Sequence, residues 1–225
     1  MDELWYQKLG FHSNPFSIKP AAFSDEVIGY NLEAVYDKVN AGSILHIVGD
    51  YGTGKTTLMK QIIRKFGGRR QVVHITRNTS EEALNAEKIL RGKYGLFEKF
   101  VKRLPDNMIM LIDEASELTN EDSEELLKYY KKAHIKSVVL FSKELVKDKF
   151  VPDFKEILDG NIINLSELSE DHAVAIVRKR IGNSAILPDE IIKKIFANSR
   201  KNPRELLENC EDVCRIAVSL GARQA

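Results

Sequence analysis

The sequence has little of what secreted, membrane-spanning and disulfide-rich proteins require. It contains 2 cysteines in 225 residues. Cys210 and Cys214 lie four positions apart in a helical pattern with no histidine nearby, which is typical of free thiols in a reducing compartment rather than of a metal site. No apolar run approaches the length of a membrane span, and residues 1–5 do not resemble a secretion signal. We therefore expect a cytoplasmic protein.

An excess of charge of either sign is also missing. Lysine and arginine together number 34 and aspartate and glutamate 33, for a net charge of +1. This balance argues against a surface devoted entirely to nucleic acid, although a local basic patch is compatible with it. Hydrophobic residues make up 43% of the chain, enough for a real core. The length predicts one large domain, or a medium domain with a small appendage.

One motif dominates what is present. The apolar run at residues 44–48 leads into Gly-x-x-x-x-Gly-Lys-Thr, and a helical pattern follows from Leu58 to Phe66. Strand, loop and helix in this order predict a phosphate-binding loop, in which glycines let backbone N–H groups approach a polyphosphate. Lys55 would place its charge on the β- and γ-phosphates, and the Thr56 hydroxyl would hold Mg²⁺. The predicted nucleotide-binding residues of the loop are Gly49, Asp50, Tyr51, Gly52, Thr53, Gly54, Lys55, Thr56 and Thr57.

Two further strand ends carry polar side chains. The apolar run 108–112 ends in Asp113 and Glu114, which places two carboxylates at the ligand-binding edge of an open α/β sheet. With a phosphate loop upstream, Asp113 is predicted to bind Mg²⁺ together with Thr56, and Glu114 to polarise the attacking water. Ser142 ends another short apolar run and fits a contact with that water or with the γ-phosphate. An ordinary turn serine explains the position almost as well.

The order of these patterns predicts the architecture. Apolar runs at 44–48, 71–75, 108–112, 137–142 and 161–165 alternate with helical patterns at 32–39, 58–66, 80–104 (interrupted at Gly92 and Gly95) and 121–132. This alternation is typical of a doubly wound α/β sheet. Beyond Leu165 only helix signals remain, starting near Ser169, Pro188 and Pro203. We therefore expect residues 1–165 to form a nucleotide-binding core with an N-terminal arm, and residues 166–225 a three-helix lid. Within the arm, Phe16 either packs across the core or lines an adenine pocket.

With these motifs in order, the chain resembles AAA+ P-loop ATPases, and within them the branch of the origin-recognition/Cdc6-type and ExeA/MuB-type proteins. The resemblance is carried by Asn14-Pro15-Phe16, by the loop from Gly49 to Thr57, by residues 108–114 and by Asn202-Pro203-Arg204-Glu205-Leu206-Leu207. It implies a P-loop NTPase three-layer core with a parallel sheet, a small all-α lid, and ATP with Mg²⁺ as cofactors. It also implies that Arg204 reaches the γ-phosphate from the lid, where a guanidinium can donate two hydrogen bonds at once.

The resemblance implies an ATP-hydrolysing switch that loads or remodels a DNA-associated or protein partner, as in DNA replication or transposition. Residues 142–165 nevertheless contain no arginine to act as a finger in a neighbouring site, only Lys143, Lys147, Lys149 and Lys155. We therefore expect slow hydrolysis alone and a protein partner that supplies activation, in a homo- or hetero-oligomer. The alternative is a weakly hydrolysing, nucleotide-stabilised scaffold subunit. A third hypothesis is direct DNA binding through the basic turn Arg64, Lys65, Arg69 and Arg70.

Overall fold

The computed structural model describes residues 4–19, 27–67, 71–77, 83–93, 103–165 and 168–221. The chain divides into two compact units. Residues 31–51 and 58–165 form one, here called the sheet unit. Residues 1–30, 52–57 and 166–225 form the other, called the lid unit. The phosphate-loop sequence therefore contributes residues to both.

The sheet unit is built on five parallel strands. They are β1 (Ile44–Val48), β2 (Val72–Thr76), β3 (Met108–Asp113), β4 (Ile135–Ser142) and β5 (Ile162–Asn164), in the order β2-β3-β4-β1-β5. All five apolar runs are strands, so the predicted parallel sheet is confirmed. In this order β4 lies between the strand before the phosphate loop and the strand that ends in Asp113.

Helices cover both faces of this sheet. The sheet unit contains α1 (Leu32–Asn40), most of α2 (Lys55–Lys65), α3 (Ala86–Arg91), α4 (Asn120–Lys131) and α5 (Pro152–Leu158). One face packs with α3, α4 and α5 into a single hydrophobic cluster. Side chains of the opposite face, such as Leu45, Ile47 and Val139, have no exposed surface either. Burial on both faces explains why the central strands β1, β3 and β4 are nearly continuous apolar runs in the sequence.

Two helix predictions for the sheet unit differ from the structure. The pattern over 80–104 yields only α3 within the described residues, capped by the Asn85 side chain, while 78–82 and 94–102 lie outside the description. Helix α5 was not predicted. It spans only 7 residues and starts at Pro152, a position where proline is tolerated because the first helical N–H has no partner within the helix.

The lid unit contains the three helices expected from the sequence: α6 (Glu170–Ile181), α7 (Asp189–Asn198) and α8 (Pro203–Ser219). Their apolar sides meet in one cluster, which also takes in Leu9 and Phe16 of the N-terminal arm. Arg180 Nη1 donates to the carbonyls of Pro15 and Ser17, at 3.2 and 2.9 Å, and so ties the arm to α6. Cys210 and Cys214 are buried and free, and burial raises the pKa of both thiols to about 12. Throughout the described ranges, every helix is too short or too polar to cross a bilayer.

Candidate nucleotide-binding site

The carboxyl edge of the sheet unit gathers the strand-end residues that the sequence predicts. Val48 is the register partner of Ser142, so Gly49 directly follows β1 beside the end of β4. Its N–H donates to the Ser142 carbonyl at 3.2 Å. Asp113 ends β3 one residue beyond the pair Ile112–Leu140. Parallel pairing therefore brings Gly49, Asp113 and Ser142 to one edge, where open α/β sheets bind ligands.

The first half of the phosphate loop lies at this edge. Asp50 is exposed and its Oδ1 accepts from the Tyr51 N–H at 2.7 Å. Lys143, the residue after β4, approaches the same carboxylate with Nζ 3.6 Å from Oδ1. The Tyr51 side chain is 71% exposed. A carboxylate beside a phosphate site repels the ligand, and the neighbouring ammonium group offsets part of that repulsion.

The second half of the loop belongs to the lid unit. Gly52 and Gly54 have φ values of 82° and 102°, the left-handed region that glycine adopts without a steric cost. Between them, the Thr53 carbonyl accepts a hydrogen bond from the Tyr30 hydroxyl at 2.8 Å. Lys55 then begins α2. A loop of this shape leading into a helix N-terminus is a ready-made anion site, because N–H groups and the helix dipole both favour negative charge.

The start of α8 packs directly against this half of the loop. A Cβ atom on Gly52 would lie 2.6 Å from Asn202 Oδ1 and 2.8 Å from Arg204 Cβ. Asn202 caps α8, accepting from the N–H groups of Arg204 and Glu205. Arg204 Nε donates to Glu208 Oε1 at 3.0 Å. The lid arginine singled out by the sequence thus lies beside the loop, on the first turn of its helix.

The two acidic residues at the end of β3 differ in backbone conformation. Asp113 is the last strand residue, and its Oδ1 accepts from the Glu114 N–H at 3.0 Å. Glu114 is exposed and adopts φ 53° and ψ 45°, a left-handed conformation that is uncommon for a residue with a Cβ. Such strained positions cost of order 1 kcal/mol and cluster at functional sites.

Ser142 lies inside the protein. Its side chain is 1% exposed, and its hydroxyl lies 2.7 Å from His46 Nε2 and donates to the Glu144 carbonyl. Since the serine proton goes to Glu144, Nε2 of His46 carries the proton donated to Ser142. These hydrogen bonds are those of an ordinary buried turn serine. A contact between Ser142 and phosphate stays a prediction.

Two other predicted contact residues lie as follows. Phe16 is 1% exposed and stacks on Trp5 with ring centroids 6.2 Å apart. Phe16 therefore packs in the hydrophobic cluster of the lid unit and not across the sheet, and its contact with adenine stays a prediction. In the basic turn, Arg64 and Lys65 are exposed, whereas Arg69 and Arg70 lie outside the described residues.

Residues 41–150 match the family model described as the AAA domain. Of solved structures, Cdc6p from Pyrobaculum aerophilum aligns with a TM-score of 0.60 at 16% identity, covering 92% of this chain and 68% of that one. The Orc1 protein of Aeropyrum pernix, solved in complex with DNA, aligns with a TM-score of 0.67 at 14% identity, covering 94% and 66%. The RuvB Holliday junction branch migration motor of Thermotoga maritima aligns with a TM-score of 0.59 at 17% identity, and the alignment covers 88% of this chain and 65% of that one.

This chain has the AAA+ P-loop fold. At these identities the solved structures confirm the predicted P-loop architecture at the level of the fold. The chain spans about two thirds of the length of these structures. No curated protein matches the sequence.

The phosphate loop and the end of β3 each carry side chains of the kind that binds a magnesium nucleotide. Thr56, with an exposed side chain, and Asp113 offer hydroxyl and carboxylate oxygens, the hard donors that Mg²⁺ prefers. The two left-handed glycines and the start of α2 supply the backbone geometry for phosphate. When bound, the metal would polarise the phosphate oxygens.

Several residues near the phosphate loop and the carboxyl edge of the sheet were not predicted from the sequence. Tyr30 is an isolated aromatic before α1, and only its position after Gly29 hinted that a turn precedes it. His46 is the polar residue inside the apolar run of β1. A buried imidazole needs a hydrogen-bond partner, and this was the one sequence signal that could have indicated its contact with another side chain. The Lys143–Asp50 pair has no sequence signature.

The buried histidine of β1 predicts a loss of stability in acid. Burial lowers the pKa of His46 to about 4 from the usual 6.5. Between these values the unfolded chain binds a proton that the folded chain excludes. The stability that the folded state gains by keeping His46 neutral is therefore fully present above pH 6.5. It is lost as the pH falls toward 4, and the loss amounts to about 3 kcal/mol in the free energy of unfolding. Urea denaturation at pH 7 and 4.5 measures it, and His46→Asn, which cannot titrate, is expected to depend less steeply on pH. An unchanged pH dependence in that variant would contradict the assignment.

Proposed function

We propose that this chain is an ATP-binding, Mg²⁺-dependent AAA+ ATPase that acts as a switch on a DNA-associated or protein partner. The proposal is carried by the contact between Gly52 of the phosphate loop and Asn202 and Arg204 at the start of α8. A lid helix that begins against the loop is placed to respond when phosphate enters it. Nucleotide state would then change what the lid presents to a partner.

The roles follow the chemistry of each side chain. Lys55 and the backbone of residues 49–57 would bind the phosphates, Thr56 and Asp113 would hold Mg²⁺, and Glu114 would accept the proton of the attacking water. Arg204 exchanges Glu208 for the γ-phosphate. The Arg204 guanidinium can exchange the Glu208 carboxylate for a phosphate with little reorganisation, because both anions accept charge-assisted hydrogen bonds through their oxygen atoms.

The binding and turnover of nucleotide test this function directly. Purified protein is titrated with ATP, ADP and GTP in Mg²⁺, and phosphate release is followed at steady state. We expect ATP and ADP to bind more tightly than GTP, and turnover to be slow, with Lys55→Ala as the control that loses binding. Failure of the wild type to bind ATP or ADP would refute the proposal.

The role of Arg204 predicts a selective loss. Arg204→Ala is expected to weaken ATP binding about tenfold while leaving ADP binding nearly unchanged, since only ATP carries the phosphate that the guanidinium would contact. Arg215→Ala is the matched control, because Arg215 forms an ion pair with Glu211 at the same i,i+4 spacing on the same helix. Calorimetric titration of each variant measures the ratio of the two affinities. An equal loss for ATP and ADP would show that Arg204 supports the fold of the lid and does not read the third phosphate.

The scaffold alternative is favoured by the segment between β4 and the lid. This segment contains lysines where an arginine finger would be expected. Lys147 forms an ion pair with Asp159, and Lys149 donates to the Ser116 carbonyl at 2.7 Å. These bonds hold the lysines within their own chain. Turnover that stays negligible with candidate protein partners and with DNA would favour a scaffold subunit over a hydrolysing switch.

DNA remains a candidate partner because Orc1 of Aeropyrum pernix was solved with it. A DNA-binding titration at increasing salt concentration tests whether the chain binds DNA directly. Binding through Arg64 and Lys65 must weaken steeply with salt, since phosphate contacts release counterions. Absence of binding, or binding insensitive to salt, would remove the direct DNA hypothesis.

A further inference from the structure

The Tyr30 side chain holds one peptide group of the phosphate loop. Its hydroxyl donates to the Thr53 carbonyl at 2.8 Å, and its ring lies 3.7 Å from where a Cβ on Gly54 would be. Both residues belong to the lid unit. The Tyr30 hydroxyl is thus hydrogen-bonded to the backbone of the phosphate loop, between the two glycines in the left-handed conformation.

The bond fixes more than the carbonyl. The described peptide bonds are all trans, and in a planar trans peptide the C=O of one residue and the N–H of the next point in opposite directions. Holding the Thr53 carbonyl therefore also sets the direction of the Gly54 N–H. A phosphate cradle requires its N–H groups turned toward the anion, and a carbonyl turned the same way would repel it.

Tyr30 is itself held in place. The preceding Gly29 has φ 86°, and a Cβ there would lie 2.4 Å from Leu168 Cδ2 and 3.1 Å from His172 Nδ1. The chain thus runs against the beginning of α6, and the Tyr30 ring packs on the hydrophobic cluster of the lid unit. Burial also raises the pKa of Tyr30 to about 12, so the hydroxyl keeps the proton it donates at any physiological pH.

We propose that Tyr30 is a positioning residue for the polyphosphate, which orients the Gly54 N–H through its bond to the Thr53 carbonyl. The inference rests on the proposed nucleotide function and adds a residue to it. Its effect is confined to ligands that reach the loop with a β-phosphate. Binding of the nucleoside and α-phosphate is expected to be independent of the Tyr30 hydroxyl.

Tyr30→Phe tests the proposal because it removes the hydroxyl and keeps the ring. Tyr130→Phe is the matched control, since Tyr130 donates to the Gly42 carbonyl at 2.7 Å, at the opposite end of β1. The affinity for mant-ADP is measured directly and that for AMP by competition, together with the melting temperature without ligand. We expect Tyr30→Phe to weaken mant-ADP binding about three- to tenfold, the loss typical of one hydrogen bond, with AMP binding unchanged. Tyr130→Phe is expected to alter neither affinity.

The outcomes separate the two proposals. Wild-type protein that binds no mant-ADP would refute the nucleotide function and this inference with it. Wild-type binding with an unchanged affinity in Tyr30→Phe would overturn the inference alone. Equal losses for mant-ADP and AMP would also overturn it, because they would indicate a general packing role. Should Tyr30→Phe lower the melting temperature, the ratio of the two affinities, measured well below that temperature, still distinguishes these results.

Discussion

A turnover rate reduced by about a hundredfold or more, with ATP binding retained, is the expected result of Glu114→Gln. Glutamine keeps the size and hydrogen-bonding reach of glutamate but cannot take a proton, and general-base catalysis typically contributes 10²–10⁴-fold. The left-handed backbone at this position disfavours glutamate and glutamine alike. The substitution should therefore change the chemistry without adding new strain.

Phosphate release measured beside ATP affinity checks this expectation. Glu117→Gln is the matched control, since Glu117 lies three residues further along, in the 3-10 turn Ala115–Glu117. Its carboxylate has no assigned role and its loss should leave turnover unchanged. If Glu114→Gln hydrolyses ATP as fast as the wild type, Glu114 is not the catalytic base.

A loss of about 3–5 kcal/mol in the free energy of unfolding is expected for Asp122→Ala, because it would remove a fully buried carboxylate that accepts hydrogen bonds from a guanidinium and two backbone N–H groups. Asp122 is completely buried, and its Oδ2 lies 3.1 Å from Nη2 of Arg77, whose side chain is 8% exposed. The same carboxylate accepts from the N–H groups of Leu84, at 2.6 Å, and Thr119, at 3.0 Å. One side chain thus joins the end of β2, the chain before α3 and the first turn of α4.

Chemical denaturation of a graded series tests this role. Asp122→Asn keeps oxygen and shape but not the charge, and should fall between the wild type and Asp122→Ala. Asp153→Ala is the surface control, as its ion pair with Lys131 is 65% and 58% exposed on the two side chains. Exposed pairs contribute little, so this variant should unfold close to the wild type. A similar stability for Asp122→Ala and the wild type would contradict the buried-pair account.

The fold was predictable where the signal was local. The five apolar runs became five strands, and the central strands β1, β3 and β4 are the most clearly visible in the sequence because strands buried on both faces need no polar positions. Prolines and capping residues likewise marked the lid helices. Helix α5 was missed because its 7 residues give too little periodicity to distinguish it from a loop.

The site was only partly predictable, since its finer contacts join residues far apart in the chain. The glycines, Lys55, Thr56 and the two carboxylates follow from motif chemistry. The hydrogen bond from Tyr30 to Thr53 depends on tertiary placement, which no spacing rule gives. The hydroxyl of Ser142 could not be assigned to its bonds with His46 and Glu144 without the structure.

The strand order also has a consequence for synthesis of the chain. β1 pairs with β4 and β5 and with neither β2 nor β3. A ribosome adding about 5–20 residues per second therefore completes the phosphate-loop sequence several seconds before it makes the strands beside it. A nascent chain that stops before residue 135 would carry every residue from Gly49 to Thr57 and yet lack the neighbouring strands that support them. Longer nascent chains, from which β4 has emerged, should resist proteolysis around residues 49–57 better than these intermediates do.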